Sequence, residues 1–104
     1  MTNETVKQQL LPKEVEHILP SLYAQDGKGL DATALIKFFT PDHNWTWYVT
    51  EYDPKEELFF GLVIGHEPEL GYFTLGELAS LRGPLGLPVE RDLYFSPKSL
   101  KECT

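Results

Sequence analysis

The sequence predicts a single α+β domain, in which a mainly antiparallel sheet of four or five strands follows an N-terminal helix. Three observations lead to this prediction. The chain has 104 residues, a length that supports one hydrophobic core. Branched and aromatic runs separated by turn signals fill residues 34–73, which is the pattern of a β-meander. Apolar residues at helical spacing precede this region, and a helix-start signal follows it.

Residues 1–33 are expected to form a polar segment, a helix and a turn-rich linker. The first nine residues are polar and are expected to be frayed. From Leu10 to Leu22 the apolar residues fall three and four positions apart, which predicts an amphipathic helix that Pro20 ends or kinks. The run Gln25-Asp26-Gly27-Lys28-Gly29 predicts the linker. Residues 34–104 then form the sheet and the later helices of the same domain.

Four strands are predicted in the meander, and a turn ends each of the first three. The second, residues 45–52, alternates between two faces, with Trp47 on one face and Tyr48 and Tyr52 on the other. Residues 58–65 are apolar on both faces, which predicts a strand in the middle of the sheet. Residues 70–73 predict a fourth, shorter strand.

A short capped helix is predicted after the fourth strand. Thr74 and Glu77 have the spacing of a capping box, Arg82 suits the negative end of a helix dipole, and Gly83-Pro84 ends the helix. A last strand is predicted at residues 93–95. A C-terminal helix is predicted after Ser96, which precedes a proline as N-caps often do.

The net charge of −7 is concentrated in the middle of the chain. Residues 42–92 carry ten acidic and three basic side chains, whereas the remaining residues carry six of each. Nucleic-acid binding needs clustered Lys and Arg, so direct nucleic-acid binding is not expected. The distribution favours a basic or DNA-binding protein partner or a metal ion, although solubility alone also explains a negative balance.

The sequence also predicts a cytoplasmic protein without a membrane span. Cys103 is the single cysteine, so an intrachain disulfide is excluded and a reducing compartment is indicated. The first residues lack the basic and apolar regions of a secretory signal. No apolar run approaches the ~20 residues that cross a bilayer.

Two acidic patterns offer candidate chemistry. His66, Glu67 and Glu69 provide an imidazole and two carboxylates for a divalent metal, but the ligand spacing of known zinc sites is absent. Glu51 with Glu90, or Glu67 with Glu69, provides the paired carboxylates that glycoside hydrolysis requires. Such pairs arise by chance in an acidic chain. No catalytic residue, metal or cofactor is therefore predicted, and a non-enzymatic role is favoured.

Glu90, Arg91 and Asp92 follow a loop rich in Gly and Pro, whose backbone is expected to be shaped. Arg91 can hold a ligand carboxylate or phosphate through its guanidinium fork. Equally, Arg91 or Arg82 can pair with Glu51, Glu77 or Asp92 and fasten the loop to the sheet. The internal pairing is favoured, because an arginine among acids usually finds a partner.

Trp47 and Tyr48 are the candidates for an aromatic contact surface. Aromatic residues on alternating strands are mostly core. If one small helix covers one face of the sheet, however, one of these two side chains is expected on the surface, where exposed patches mark protein contacts.

Five short motifs follow one another in an order that matches a known family. They are Phe38-Phe39-Thr40-Pro41, Trp45-Thr46-Trp47-Tyr48, Phe60-Gly61-Leu62-Val63, Glu69-Leu70-Gly71-Tyr72-Phe73 and the segment from Arg82 to Asp92. In these motifs, over roughly the last two-thirds of the chain, the sequence resembles the bacterial family named domain of unknown function 2958. The resemblance implies a small cytoplasmic protein that is common on plasmids and other mobile elements, without an established activity or catalytic residues.

The sequence thus favours a non-enzymatic accessory protein of a mobile element that binds another protein. One specific form is an inhibitor that imitates the charge of a nucleic acid. The alternative is a small enzyme or ligand-binding domain with a carboxylate and arginine pocket around Glu51, Glu90 and Arg91. The predicted binding residues are Glu90, Arg91, Asp92, Glu51, Trp47 and Tyr48.

Overall fold

A computed structural model describes residues 3–104 and confirms the α+β class, with one five-stranded antiparallel sheet. The helices are α1 (Asn3–Leu10), α2 (Lys13–Glu16), α3 (Leu75–Ser80) and α4 (Leu100–Cys103), with a 3₁₀-helix at Gly29–Asp31. The strands of the sheet are β2 (Ile36–Phe39), β3 (Thr46–Asp53), β4 (Leu58–Ile64), β5 (Pro68–Thr74) and β6 (Glu90–Arg91). A separate pair consists of β1 (Thr33–Ala34) and β7 (Lys98–Ser99). Within residues 3–104, no helix is long and apolar enough to cross a membrane.

The strand order is β5-β4-β3-β2-β6. Strands β2 to β5 form the predicted meander, in which each strand pairs antiparallel with the next. The chain then passes through α3 and returns to the opposite edge, where β6 pairs with β2. Strands β5 and β6 are therefore the two edges of the sheet. The fourth strand of the meander, β5, is seven residues long, so the prediction of a shorter strand at residues 70–73 is wrong.

The two faces of the sheet are covered to different extents. On one, which we call the helix face, α1 and α3 pack over a large core. Its buried members include Val6, Leu10, Phe38, Trp47, Val49, Tyr52, Phe59, Phe73 and Leu78. On the other, which we call the C-terminal face, a smaller cluster forms around Tyr48, Leu62 and Leu100, with Phe95 packed against it. Leu70 and Tyr72 of β5 lie opposite Leu62 and Phe60 on this face and remain exposed.

The N-terminal region differs from the prediction. Residues 3–10 form α1 instead of a frayed end, because Val6 and Leu10 are buried against the sheet. The helix predicted from Leu10 to Leu22 is reduced to the single turn α2. The segment beyond α2 is tied to the sheet through Pro20, whose carbonyl accepts a hydrogen bond from Tyr52 N at 2.9 Å. The apolar spacing in this segment therefore reflects packing on the sheet and not a continuous helix.

A β-bulge at Thr50 changes the direction of the side chains at the end of β3. The register against β4 shifts between Val49 and Glu51. The extra residue interrupts the alternation, so Tyr52 joins Val49 on the helix face instead of lying with Tyr48 as predicted. The same shift directs Glu51 toward the C-terminal face.

The two capping signals of the C-terminal half have different outcomes. The box of α3 is confirmed, since Thr74 Oγ1 accepts from Glu77 N at 3.0 Å and Thr74 N donates to Glu77 Oε1 at 3.3 Å. The strand predicted at residues 93–95 is wrong, because those residues form a turn and loop. Ser96 is not an N-cap. Ser99 caps α4 instead and forms a second capping box with Glu102.

Tyr52 makes the stability of the fold sensitive to alkaline pH. Its ring is buried and lies 4.6 Å from the ring of Phe59, measured between centroids. Burial, followed by the charges of Glu16, Glu57 and Asp53, raises the pKa of Tyr52 to about 12. An unfolded chain has the ordinary tyrosine pKa of about 10. Between these two pKa values the tyrosine loses its proton in the unfolded state but keeps it in the folded state. The contribution of Tyr52 to the free energy of unfolding is therefore complete below pH ~10 and is lost as the pH rises toward ~12.

We therefore expect the free energy of unfolding to fall between about pH 9.5 and pH 11.5, and to fall less in Tyr52→Phe. Phenylalanine keeps the ring in the core but has no proton to lose. Denaturant unfolding at several pH values measures both slopes. Burial also raises the pKa of Tyr48. Tyr48 therefore contributes part of the pH dependence that remains in Tyr52→Phe. Identical slopes in the two proteins would contradict the assignment to Tyr52.

Candidate functional site

Trp47 and Tyr48, two of the predicted binding residues, lie in the core. Trp47 is buried on the helix face with its ring centroid 6.1 Å from that of Trp45. Tyr48 is buried on the C-terminal face, 5.8 Å from the ring of Phe95. The expectation that one of them lies on the surface is wrong, because the C-terminal segment covers β3 on the face that the helices leave open.

Glu51 is a buried carboxylate that holds the turn before β1. It is 5% exposed, and its two oxygens accept hydrogen bonds from Tyr23 N at 3.0 Å and Gln25 N at 2.6 Å. The side chain of Gln25 extends the connection, since its Nε2 donates to Thr33 O at 2.8 Å and to Thr50 O at 3.0 Å. None of the described Lys, Arg or His side chains forms an ion pair with Glu51. Backbone amides therefore satisfy both of its carboxylate oxygens.

Arg91 contacts a backbone carbonyl instead of a carboxylate. Its Nε donates to Leu10 O at 3.2 Å, at the C-terminal end of α1, where the helix dipole favours a cation. The predicted pairing of Arg91 with Glu51, Glu77 or Asp92 is wrong, and it has no ion-pair partner among the described residues. Arg91 thus fastens β6 to the N-terminal helix.

Asp92 and Glu90 differ in their surroundings. Asp92 Oδ2 lies 3.8 Å from Lys37 Nζ, and its Oδ1 accepts a hydrogen bond from Tyr94 N at 2.9 Å. Its main-chain N also donates to Lys37 O at 2.9 Å, so Asp92 continues the pairing of β6 with β2. Glu90 is exposed on the edge strand β6.

The pocket proposed around Glu51, Glu90 and Arg91 is not formed. Glu51 lines a cavity of about 200 Å³ on the C-terminal face. Glu90 and Arg91 line a different cavity of about 310 Å³, which lies against α1. Since Glu51 and Glu90 do not share a cavity, they are also not the carboxylate pair that a glycoside hydrolase would need.

His66, Glu67 and Glu69 lie at and beside the turn between β4 and β5. His66 packs edge-on against Trp45, with the ring centroids 6.0 Å apart. No group of three or more His, Cys, Asp or Glu side chains suited to hold a metal ion occurs in the part of the chain that the structure describes. The acidic side chains at this turn are exposed to solvent.

Asp42, from the first turn of the meander, shapes the Gly- and Pro-rich loop. Its Oδ2 accepts hydrogen bonds from Leu85 N at 2.8 Å and Leu87 N at 3.3 Å. Gly83 approaches so closely that a Cβ at this position would lie 1.7 Å from Asp42 Oδ1. Arg82 donates to two carbonyl oxygens at the end of α3, which confirms its predicted place there. The loop is therefore held by a contact between residues distant in the sequence.

Sequence reasoning missed an exposed apolar surface on the C-terminal face, which we call the tyrosine patch. It consists of Tyr23, Phe60, Leu70 and Tyr72, which line one shared cavity. Tyr23 is 68% exposed, Leu70 45% and Tyr72 53%. The rings of Phe60 and Tyr72 lie 4.9 Å apart between centroids, and a hydrogen bond with the Tyr23 side chain is the main cause that raises the pKa of Tyr72. The patch is thus one connected surface built from β4, β5 and the turn at Tyr23.

Acidic residues predominate near the tyrosine patch, although the exposed Lys28 lies between Gly27 and Gly29, which line its cavity. No Lys or Arg occurs in residues 56–81, which form β4, β5 and α3. Glu67 and Glu69 are exposed at one end of β5, and Asp26 lines the cavity beside Tyr72. A signal for the patch is present in the sequence, because Leu70 and Tyr72 alternate with Glu69 and Gly71. That alternation predicts an apolar strand face without indicating whether another element covers it.

Comparison with known proteins identifies the family. The family model described as "Protein of unknown function (DUF2958)" matches residues 10–101. No curated protein and no solved structure matches the chain. The matched region includes β1 to β6, α3 and the tyrosine patch, and it confirms the resemblance found in the five motifs. The chain therefore belongs to the DUF2958 family of proteins of unknown function.

Proposed function

We propose that this protein is a non-enzymatic accessory factor of a mobile element that acts in the cytoplasm by binding a basic protein partner. The observation that carries the proposal is the tyrosine patch. Contiguous exposed apolar surfaces on small proteins mark interaction sites, and tyrosine is enriched among the residues that dominate binding energy. Tyr23 and Tyr72 are both exposed, and each combines an apolar ring with a hydroxyl group, so they suit contacts that are partly apolar and partly polar.

The charge around the patch supports a basic partner. Residues 56–81 contain five Glu and no Lys or Arg, and of these Glu57 alone is paired with a lysine of the described part of the chain, Lys7. The negative charge that remains repels phosphate groups and attracts cationic side chains. Complementary charge speeds the encounter with a partner and excludes acidic proteins. In its specific form, the proposal is an inhibitor that imitates the charge of a nucleic acid and occupies the surface that a DNA-binding protein uses for DNA.

Affinity capture followed by measurement with the purified partner tests the proposal. We expect the protein to capture a basic protein at low salt, and the affinity of the purified pair to weaken as salt rises. Tyr72→Lys should weaken binding by about tenfold or more, because it removes a central ring and adds a repelling charge. Tyr94→Lys is the matched control, since Tyr94 is 96% exposed, lies outside the tyrosine patch and receives the same charge.

The result that overturns the proposal is a captured set without a basic protein, or equal loss of binding in Tyr72→Lys and Tyr94→Lys. The specific form has its own test, in which DNA and this protein compete for the purified partner. Simultaneous binding of both would exclude the imitation of nucleic acid, and mutual displacement would support it.

A further inference from the structure

The edge strand β5 has one unpaired side. It spans seven residues and lies at the end of the strand order. Among residues 3–104, β4 is the one strand that pairs with it. Long, unprotected edges are uncommon in monomeric proteins, because their free backbone groups can pair with another chain.

The ladder determines which backbone groups of β5 point outward. Leu75 N donates to Glu57 O at 2.9 Å, in the same register as the pairs of β4 and β5. Hydrogen-bonded and non-hydrogen-bonded pairs alternate in an antiparallel ladder, so residues 69, 71 and 73 bond to β4. Leu70 and Tyr72 therefore direct their N–H and C=O groups away from the sheet. Thr74 N follows the same alternation, because it donates to Glu77 Oε1 and not to β4.

Leu70 and Tyr72 are also members of the tyrosine patch. The same two residues thus offer free backbone groups at the edge and exposed apolar side chains on the C-terminal face. A strand added beside β5 would place every second side chain next to Leu70 and Tyr72. The alternate side chains of the added strand would lie on the helix face, next to the exposed Glu69 and to Gly71. The space at Gly71 is open, because no atom lies within 4 Å of a Cβ added there.

We infer that β5 accepts an extended segment of the partner as a sixth strand of the sheet, and that this segment alternates apolar and basic residues. The inference rests on the proposed function and specifies how the partner is bound. The apolar residues contact Leu70 and Tyr72, the basic residues approach Glu69, and backbone hydrogen bonds at Leu70 and Tyr72 supply affinity. A second copy of this chain would bring its own acidic β4–β5 hairpin to the edge, so charge favours a foreign, basic strand.

Blocked seven-residue peptides are the probe. A peptide that alternates Val and Lys should bind, and should shift the amide resonances of Leu70 and Tyr72 more than those of other residues. Its Val residues lie opposite Leu70 and Tyr72, so their amides face β5 while the Lys amides face solvent. N-methylation of the Val amides should therefore weaken binding by about tenfold or more, whereas N-methylation of the Lys amides should have little effect. A peptide of the same composition with the Val residues in one block is the composition control.

Three results would overturn the inference. The first is equal binding of the alternating and the block peptide, and the second is an equal effect of the two N-methylation patterns. The third is that the protein sediments as a dimer and the alternating peptide does not bind β5 in that dimer. The last would assign the edge to a second copy. The capture experiment can yield a basic partner that no longer binds the Tyr72→Lys variant, while the two N-methylated peptides bind equally well. In that case strand addition is excluded and the proposed function stands. If the peptides discriminate but no basic protein is captured, the proposed function fails and the edge site stands.

Discussion

Replacing Gly61 with alanine should reduce the free energy of unfolding by about 3–5 kcal/mol. Gly61 is buried in β4 and lies opposite Val49, directly before the bulge of β3. A Cβ at this position would lie 1.9 Å from Tyr48 O and 3.1 Å from Val49 Cα. Both are main-chain atoms of the central strand, so the clash cannot be relieved by a side-chain rotation. Relief requires that the closely packed strands β3 and β4 separate at this point.

Gly71→Ala provides the matched control. Gly71 lies directly opposite Gly61 across the β4–β5 ladder, but no atom lies within 4 Å of a Cβ added there. We expect this variant to be unchanged or more stable by up to about 1 kcal/mol, because alanine restricts the unfolded chain. Thermal unfolding measures both variants, and Gly61→Ala should lower the midpoint by roughly 15–25 °C. A Gly61→Ala protein as stable as Gly71→Ala would show that β3 does not approach β4 as closely as described.

Replacing Glu51 with alanine should cost about 2–4 kcal/mol, since it removes a carboxylate that accepts two backbone hydrogen bonds. Tyr23 depends on this anchor, because its φ of 72° is unfavourable for a residue with a side chain. Without Glu51 the turn loses two of its three hydrogen bonds to β3 and keeps the one from Gln25 Nε2 to Thr50 O, so Tyr23 is held less firmly beside Tyr72. We therefore expect Glu51→Ala to affect the tyrosine patch as well as stability.

Two measurements separate this role from a general effect of charge. Amide hydrogen exchange at Tyr23 and Gln25 should accelerate in Glu51→Ala, because both amides lose their acceptor. Glu51→Gln should be intermediate, since the amide group keeps one acceptor oxygen. The control is Glu67→Ala, which removes an exposed acid in a turn and should stay within about 0.5 kcal/mol of the parent. Equal stability of Glu51→Ala and Glu67→Ala would contradict the anchoring role.

Signals carried by neighbouring residues predicted local structure well. The capping box of Thr74 and Glu77 and the position of Arg82 at the helix end were both correct, because each rests on contacts within one or two helical turns. Ser96 was chosen as an N-cap on the same kind of signal and was wrong. The choice between Ser96 and Ser99 depends on Leu100, which is completely buried on the C-terminal face and so sets where α4 begins.

The predicted site failed where the prediction depended on which face of a strand is covered. One of Trp47 and Tyr48 was expected on a contact surface and Glu51 in a binding pocket, and all three side chains are buried. Leu70 and Tyr72 carry the same kind of alternating pattern, yet they are exposed. The bulge at Thr50 added a second source of error, because one extra residue reverses every later side-chain direction in β3.

The sequence by itself determined the family, the α+β class, the meander and the concentration of acidic residues, because composition, alternation and turn residues act over short distances. Only the tertiary structure decided which aromatic side chains reach solvent. Burial depends on elements far apart in the chain, such as α1 and α3 on one face of the sheet and α4 on part of the other. The C-terminal segment covers Tyr48 and Leu62 but leaves Leu70 and Tyr72 of the edge strand open, and that uneven cover defines the tyrosine patch.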